Sequence, residues 1–307
     1  MQTDTITQAR PPADHPHTCF TELVGCEIPI QQAAFGTLSV ELVTAVSAAG
    51  GLGMIGAPLA SADALSAAFD RIRAITDAPV GVNFVAPFFD PGRDGPALEV
   101  AIERAAVVEF FYGSPDRRLV ERIHSGGSLA TWQVGSVSDA LAAARAGCDL
   151  VILQGQEAGG HLAGTRALLP LLCEVLDVVD VPVLAAGGIT TPRALAAVLA
   201  AGAAGARIGT ALVASEESDF HPNTSARCSP HRARTPSTAM CSPPSGPTRR
   251  IASCARRSMP SSRSTTPSSA RCRSAAIKSM CLAPPGQHRS RTRPETSRRW
   301  PCSPARA

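Results

Sequence analysis

Between residues 27 and 210 the chain alternates, eight times over, a short apolar run with a stretch of helical spacing. The runs cover 27–33, 52–55, 79–84, 107–111, 129–134, 150–153, 182–186 and 204–208. Apolar runs this short suit strands buried on both faces, and strands separated by helical segments suit a parallel sheet. Helical spacing covers 40–49, 62–75, a stretch ending near 105, and 117–124, 137–146, 168–179 and 192–201. The last of these has Pro192 in its first turn and Gly202 just past its end, a start and a stop. Residues 87–96, rich in Pro and Gly, read as a loop. Eight strand–helix units predict an α/β protein of the (β/α)8 TIM-barrel class, whose usual size is about 250 residues. The eighth helix is unaccounted for, so the barrel is incomplete there, and its first and eighth strands are expected to lack outer cover.

Composition divides the chain at Phe220. Residues 1–220 hold 12 Arg, no Lys and 24 acids, whereas 221–307 hold 17 Lys and Arg and one acid, Glu295. The formal charges, −12 and +16, make up the +4 of the whole chain, which therefore describes neither part. The tail has no Val, Phe, Tyr or Asp and cannot bury enough apolar surface to offset its ordering entropy, so disorder is expected. Three segments follow: a loose leader over 1–24, the barrel over 25–220, and a basic Ser/Arg/Pro-rich tail over 221–307. Trp300 is the tail's only aromatic, which disfavours a nucleic-acid-binding arm.

A one-nucleotide frameshift explains more. Back-translated with GC-rich codons and read one base earlier, 222–231 gives EYQRALLAA, an amphipathic helix. Residues 239–254 treated likewise give RDVFAAVGPDAPHRVL.

Cys19, Cys26, Cys148 and Cys173 have no paired-thiol spacing and read as free thiols of a reducing compartment. No charged-then-apolar leader opens the chain, and no apolar run is long enough to span a membrane, so a cytoplasmic protein is expected.

The sixth strand runs into Gln154-Gly-Gln-Glu-Ala-Gly-Gly-His161, with a further glycine at 164. Such a loop lets backbone amides approach a ligand closely. In parallel α/β proteins ligands bind at the carboxyl ends of strands, where His161 stands, outside any apolar periodicity. The last two strands end in Gly187-Gly188 and Gly209-Thr210. These are the two places where TIM barrels frequently hold a phosphate on backbone amides. A phosphorylated cofactor with substrate above it follows. Gly51-Leu-Gly-Met-Ile-Gly56 matches a dinucleotide-binding pattern, but it ends a helix and opens a strand, the reverse of that motif's setting.

These residues resemble the nitronate monooxygenases, formerly 2-nitropropane dioxygenases, which are FMN-dependent TIM-barrel flavoenzymes. The resemblance runs from about Cys26 to Phe220. It rests on Pro29-Ile-Gln-Gln-Ala33, Ala49-Gly-Gly-Leu-Gly53, Gly81-Val-Asn-Phe84, Gln154 to His161, Ala186-Gly-Gly-Ile189 and Ile208-Gly-Thr210. It implies that Gln32 and Ala33 lie near the isoalloxazine, that Asn83 bonds the flavin, and that Gln154 and Gly159 line the ring. Gly187, Gly188, Gly209 and Thr210 would hold the phosphate, and His161 would be the base or orient the nitronate. The implied reaction is FMN-dependent oxidation of a nitronate or nitroalkane by O2 to a carbonyl compound and nitrite. An imidazole, which titrates near neutral pH, suits proton removal beside a nitro group. Related barrels reduce quinones or enoyl thioesters with NAD(P)H, and an inactive relative with a basic tail is a further reading. Ala34-Phe35 and Val108-Glu-Phe-Phe-Tyr-Gly-Ser-Pro115 depart from the family's commoner residues, and both border the implied substrate side. The implied partners are a small-molecule substrate and O2, with no membrane; homo-oligomerisation stays open.

Overall fold

The computed structural model describes residues 16–36 and 38–220. The tail read over 221–307 and the leader's first fifteen residues lie outside the described residues.

The chain enters through a six-residue helix, α1 (Cys19–Val24), which the reading of 1–24 as a loose leader misses. Thr18 and Thr21 form a reciprocal capping box, and Gly25 ends the helix in a left-handed conformation. Strand and helix then alternate as β1 (Ile30–Gln32), α2 (Val40–Ala48), β2 (Gly53–Gly56) and α3 (Ala62–Arg73). Next come β3 (Val80–Val85), α4 (Pro91–Arg104), β4 (Val107–Phe111) and α5 (Arg117–Ser125). The series closes with β5 (Leu129–Val134), α6 (Val137–Ala146), β6 (Leu150–Gln154), α7 (Leu168–Leu176), β7 (Val183–Ala186), α8 (Pro192–Ala200) and β8 (Gly205–Ile208). Among the described residues no helix follows β8, as the sequence reading has it. Helix α4 starts five residues before the expected end of the Pro/Gly-rich loop. Asp90 caps it through the Arg93 amide at 2.8 Å, and Pro91 at the first turn needs no amide partner. The Gly51–Gly56 pattern opens β2, so it is not a dinucleotide loop.

All eight strands are parallel, hydrogen-bonded in the order β1-β8-β7-β6-β5-β4-β3-β2. The ring closes between β1 and β2 on a single bridge, Gln31 to Leu52. There Gln32 N donates to Leu52 O and Leu52 N to Ile30 O, each at 2.9 Å.

Side chains alternate across the sheet. Val108, Phe110, Val151 and Leu153 point outward and pack with helix residues such as Phe69 and Ile102. Their neighbours Val107, Leu150 and Ile152 point inward and join Leu52, Met54 and Leu184 in a second cluster. Phe20 and Val24 of α1 plug that cluster from the amino ends of the strands. A Cβ at Gly205 would sit 2.8 Å from the Leu184 side chain and 2.9 Å from Pro29 O, so the plug fits only against glycine.

Cys26 and Cys148 are buried free thiols and Cys173 is an exposed one, whereas Cys19 departs from the sequence reading and is disulfide-bonded. Burial pushes both the Cys26 and the Cys148 thiol up to about 12. Among the described residues no helix is long and apolar enough to cross a membrane.

Candidate active site at the carboxyl ends of the strands

The loop after β6 is tied down at both ends. Gln154, 5% exposed, donates through Nε2 to His161 O and accepts through Oε1 from Ala163 N, both at 2.9 Å. Gly164 lies backbone to backbone against Gly135; a Cβ there would come within 2.2 Å of Gly135 O. Ala167, the residue capping α7, offers no side-chain bond, and the Glu157 carboxylate replaces it by accepting from Leu168 N at 3.0 and 3.1 Å. With the loop's backbone pinned this way, the His161 side chain stands exposed at the mouth.

Its neighbour is Tyr112, edge-on at 6.3 Å between ring centroids. The Tyr112 hydroxyl donates to Leu162 O at 3.3 Å, a second tie on the loop, and burial raises its phenol above the usual tyrosine range. Tyr112 holds a left-handed φ of 64°, rare for a bulky residue, and the Trp132 indole steadies it by donating to Tyr112 O at 3.0 Å. The ring of Trp132 stacks on Phe110, so the anchor is part of the outer core.

The glycine-bearing strand ends meet this loop on one side of the mouth. Gly187 and Gly188 are both left-handed, with φ of 127° and 66°. Built Cβ atoms would approach Ala158 N at 3.0 Å from Gly187 and the Glu157 side chain at 3.3 Å from Gly188. One at Gly159 would lie 2.5 Å from Thr210 Oγ1, and one at Gly209 would lie 3.1 Å from the Ala33 Cβ. Ala33, Gly159, Gly187, Gly188, Gly209 and Thr210 therefore form one neighbourhood. After β8 the chain makes a tight turn, Leu212 N to Gly209 O at 2.8 Å and Val213 N to Thr210 O at 3.3 Å. The amides of Gly209 and Thr210 lie at the open, donor end of that turn. Neutral backbone donors on bare glycines, with the nearby Glu157 carboxylate engaged by α7, fit a phosphate monoester.

Gln32 and Asn83 are placed differently. Gln32 is fully buried and spends its amide across the barrel's seam, on Met54 N at 3.2 Å and Met54 O at 3.3 Å. Asn83, 6% exposed, donates from Nδ2 to Glu109 Oε1 at 2.8 Å. The same oxygen receives Arg207 Nη1 from β8, on the far side of the barrel. Burial pushes the Glu109 carboxyl up, against the opposing pull of Arg207 and Asn83. Among the described residues, Glu109 Oε2 and both amide atoms of Gln31 have no hydrogen-bond partner.

Sequence reasoning missed Glu109, Tyr112 and Arg207. A charged residue inside each of two otherwise apolar runs was the available signal for Glu109 and Arg207. Glu109 and Tyr112 both fall in the stretch 108–115 that departs from the family's commoner residues. The other departure also borders the mouth: Phe35 meets Phe220 edge-on at 4.8 Å.

Comparison with known proteins shows that the chain belongs to the nitronate monooxygenase family. The profile of the nitronate monooxygenase family matches residues 17–271. The chain is 36% identical over 204 residues to the (3aS,4S,5R,7aS)-5-hydroxy-7a-methyl-1-oxo-octahydro-1H-indene-4-carboxyl-CoA dehydrogenase of Mycobacterium tuberculosis, a match covering 66% of this chain and 57% of that one. The chain thus spans little more than half the length of such curated relatives. Among solved structures, FabK from Thermotoga maritima is 37% identical with a TM-score of 0.64, covering 69% of this chain and 67% of its own. A nitroalkane oxidase from Streptomyces ansochromogenes is 34% identical with a TM-score of 0.62, covering 69% and 73%.

Proposed function

Because the chain belongs to the nitronate monooxygenase family, we propose that it is an FMN-dependent oxidoreductase that converts nitronates or nitroalkanes and O2 to carbonyl compounds and nitrite. The observation that carries this reading is the single neighbourhood formed by Gly159, Gly187, Gly188, Gly209 and Thr210 beside the His161 loop. The 34% identical nitroalkane oxidase supports the substrate class.

FMN when bound supplies the electron-accepting chemistry, and the chain's residues do the rest. Gly187, Gly188, Gly209 and Thr210 bind the phosphate with backbone amides. Ala33 and Gly159 keep their side of the mouth narrow. His161, held by Gln154 and by the Tyr112 tie on Leu162, takes on an imidazole nitrogen the proton next to the nitro group. Tyr112 shields one side of that imidazole. The test is oxygen uptake with nitrite release when the purified chain, loaded with FMN, meets propyl-2-nitronate. Turnover supports the reading, and a yellow protein inert to every nitronate overturns it.

The 36% identical carboxyl-CoA dehydrogenase supports the thioester substrate class of a second reading, an NAD(P)H-dependent reductase of an enoyl thioester or quinone on the same barrel. Oxidation of NAD(P)H dependent on such an acceptor separates the two.

For residues 221–307 we propose a shifted reading frame, supported by the abrupt change of charge and composition at Phe220. Resequencing the gene tests it. An extra or missing base near codon 221 is expected, and its absence overturns the proposal.

A further inference from the structure

The buried cluster beneath the mouth has a polarity that the proposed function does not use. Asn83 sits on β3 directly in register with Glu109 on β4. An amide side chain is two-faced, donor on one side and acceptor on the other, and which face meets a ligand depends on what holds the opposite one. Here the partner is an oxygen that cannot donate. Glu109 Oε1 receives both Asn83 Nδ2 and Arg207 Nη1. A proton on this carboxyl would have to sit on Oε2, whose position is free of hydrogen bonds among the described residues. Oε1 stays an acceptor in either state, so the Asn83 nitrogen is committed to it and the Asn83 carbonyl is the face left for a ligand. The amide's orientation is thus fixed by chemistry rather than by choice of rotamer.

We propose that Glu109, anchored across the barrel by Arg207, is a positioning residue that locks Asn83 as a hydrogen-bond acceptor for an N–H group on the cofactor. For FMN, whose binding is the premise taken from the proposed function, the group of that chemistry is the imide N3–H of the isoalloxazine. Arg207 holds the same oxygen from across the barrel and balances the carboxylate whenever it is ionised, which gives a reason for a charged pair spanning an otherwise apolar strand layout. The arrangement also rejects ligands that offer only acceptors at this point, because two carbonyls would face each other with no proton between them.

The test compares FMN with its N3-methyl analogue, which lacks the donor, by quenching of flavin fluorescence on binding. The full chain is expected to prefer FMN about tenfold, the value of one ordinary hydrogen bond. In the swapped pair Glu109→Lys with Arg207→Glu the ammonium at position 109 can only donate, Asn83 turns its carbonyl to it and its NH2 to the ligand, and the preference falls to about one through loss of FMN affinity alone. The exchange Asn83→Asp with Glu109→Gln leaves only acceptor oxygens at position 83, keeps one negative charge for Arg207, and is expected to keep the preference. Parallel loss of affinity for both flavins in the swapped pair overturns the proposal, since a purely structural role acts on both alike. Should the swapped pair fail to fold, the charge-conserving exchange decides: a folded exchange variant without preference also overturns it. A wild-type chain that binds neither flavin overturns the FMN reading and the inference with it, whereas one that binds both equally overturns the inference alone.

Discussion

The two ends of the barrel interior are equally buried and oppositely built. At the amino ends of the strands, Leu52, Met54, Val107, Leu150 and Leu184 close around Phe20 of α1, all fully shielded and all apolar. Toward the carboxyl ends, the inward polar positions are Gln31, Asn83, Glu109, Thr131, Gln133, Gln154 and Arg207, none more than 7% exposed. Burying apolar area stabilises by roughly 25 cal/mol per Å2, whereas burying a charged pair commonly breaks even at best. The floor is therefore where the fold gains its free energy. The mouth gives some of it back to hold polar groups in fixed orientations.

Four experiments sharpen or break that contrast. Phe20→Ala should cost the most, about 3–5 kcal/mol in urea-induced unfolding, because the plug has no other residue to fill its place. A loss below 1 kcal/mol would mean that the floor is not the stabilising end. At the mouth, Arg207→Met takes the cation away from the buried Glu109 and should cost about 3 kcal/mol. The double replacement Arg207→Met with Glu109→Leu should regain most of that loss, and the contrast fails if it stays as unstable as the single variant.

His161→Ala is expected to reduce turnover of neutral nitroalkanes about a hundredfold, the lower end of general-base effects, with no change in unfolding midpoint because the side chain is exposed. Preformed nitronates, already deprotonated, should lose far less. Equal loss on both substrates would assign His161 to orientation instead of proton removal.

The smallest effect per pH unit comes from two buried thiols, Cys26 at the floor and Cys148 in the outer core. Cys26 and Cys148 are held neutral in the folded chain up to about 12, against an ordinary value of 9.0. Above pH 9 the unfolded chain sheds these protons and the folded chain keeps them. Stability is therefore intact below pH 9 and falls as pH rises, by up to about 1.4 kcal/mol per pH unit for each thiol. Alanine at both positions should flatten that alkaline limb in unfolding curves.

The alternation of strands and helices was legible because each strand is buried on both faces and each helix on one, which writes the period into the chain. Helix α1 was not, since six residues give no period and its signal is a local Thr18–Thr21 cap. The start of α4 was hidden because Pro91, Gly92, Gly95 and Pro96 are loop residues by type, though the Asp90 cap permits them in a first turn. At the site, the glycine pairs were legible because strand-end position alone brings them together. Gln32 shows the limit: the resemblance sets it beside the flavin, while its amide is spent on the backbone of Met54. The Glu109–Arg207 pair joins residues 98 positions apart, and no local pattern announces which strands face each other across a barrel.

The narrow seam between β1 and β2 has a consequence for how the molecule assembles. The first strand to be synthesised has one bridge to its neighbour in sequence, and its full ladder forms with β8, more than 170 residues later. During synthesis β2 to β7 can pair in turn as they emerge, while Ile30–Gln32 waits with an open edge for the last partner. Loop-closure entropy makes that step slow relative to the neighbouring pairings. The ring is thus completed by its two ends meeting.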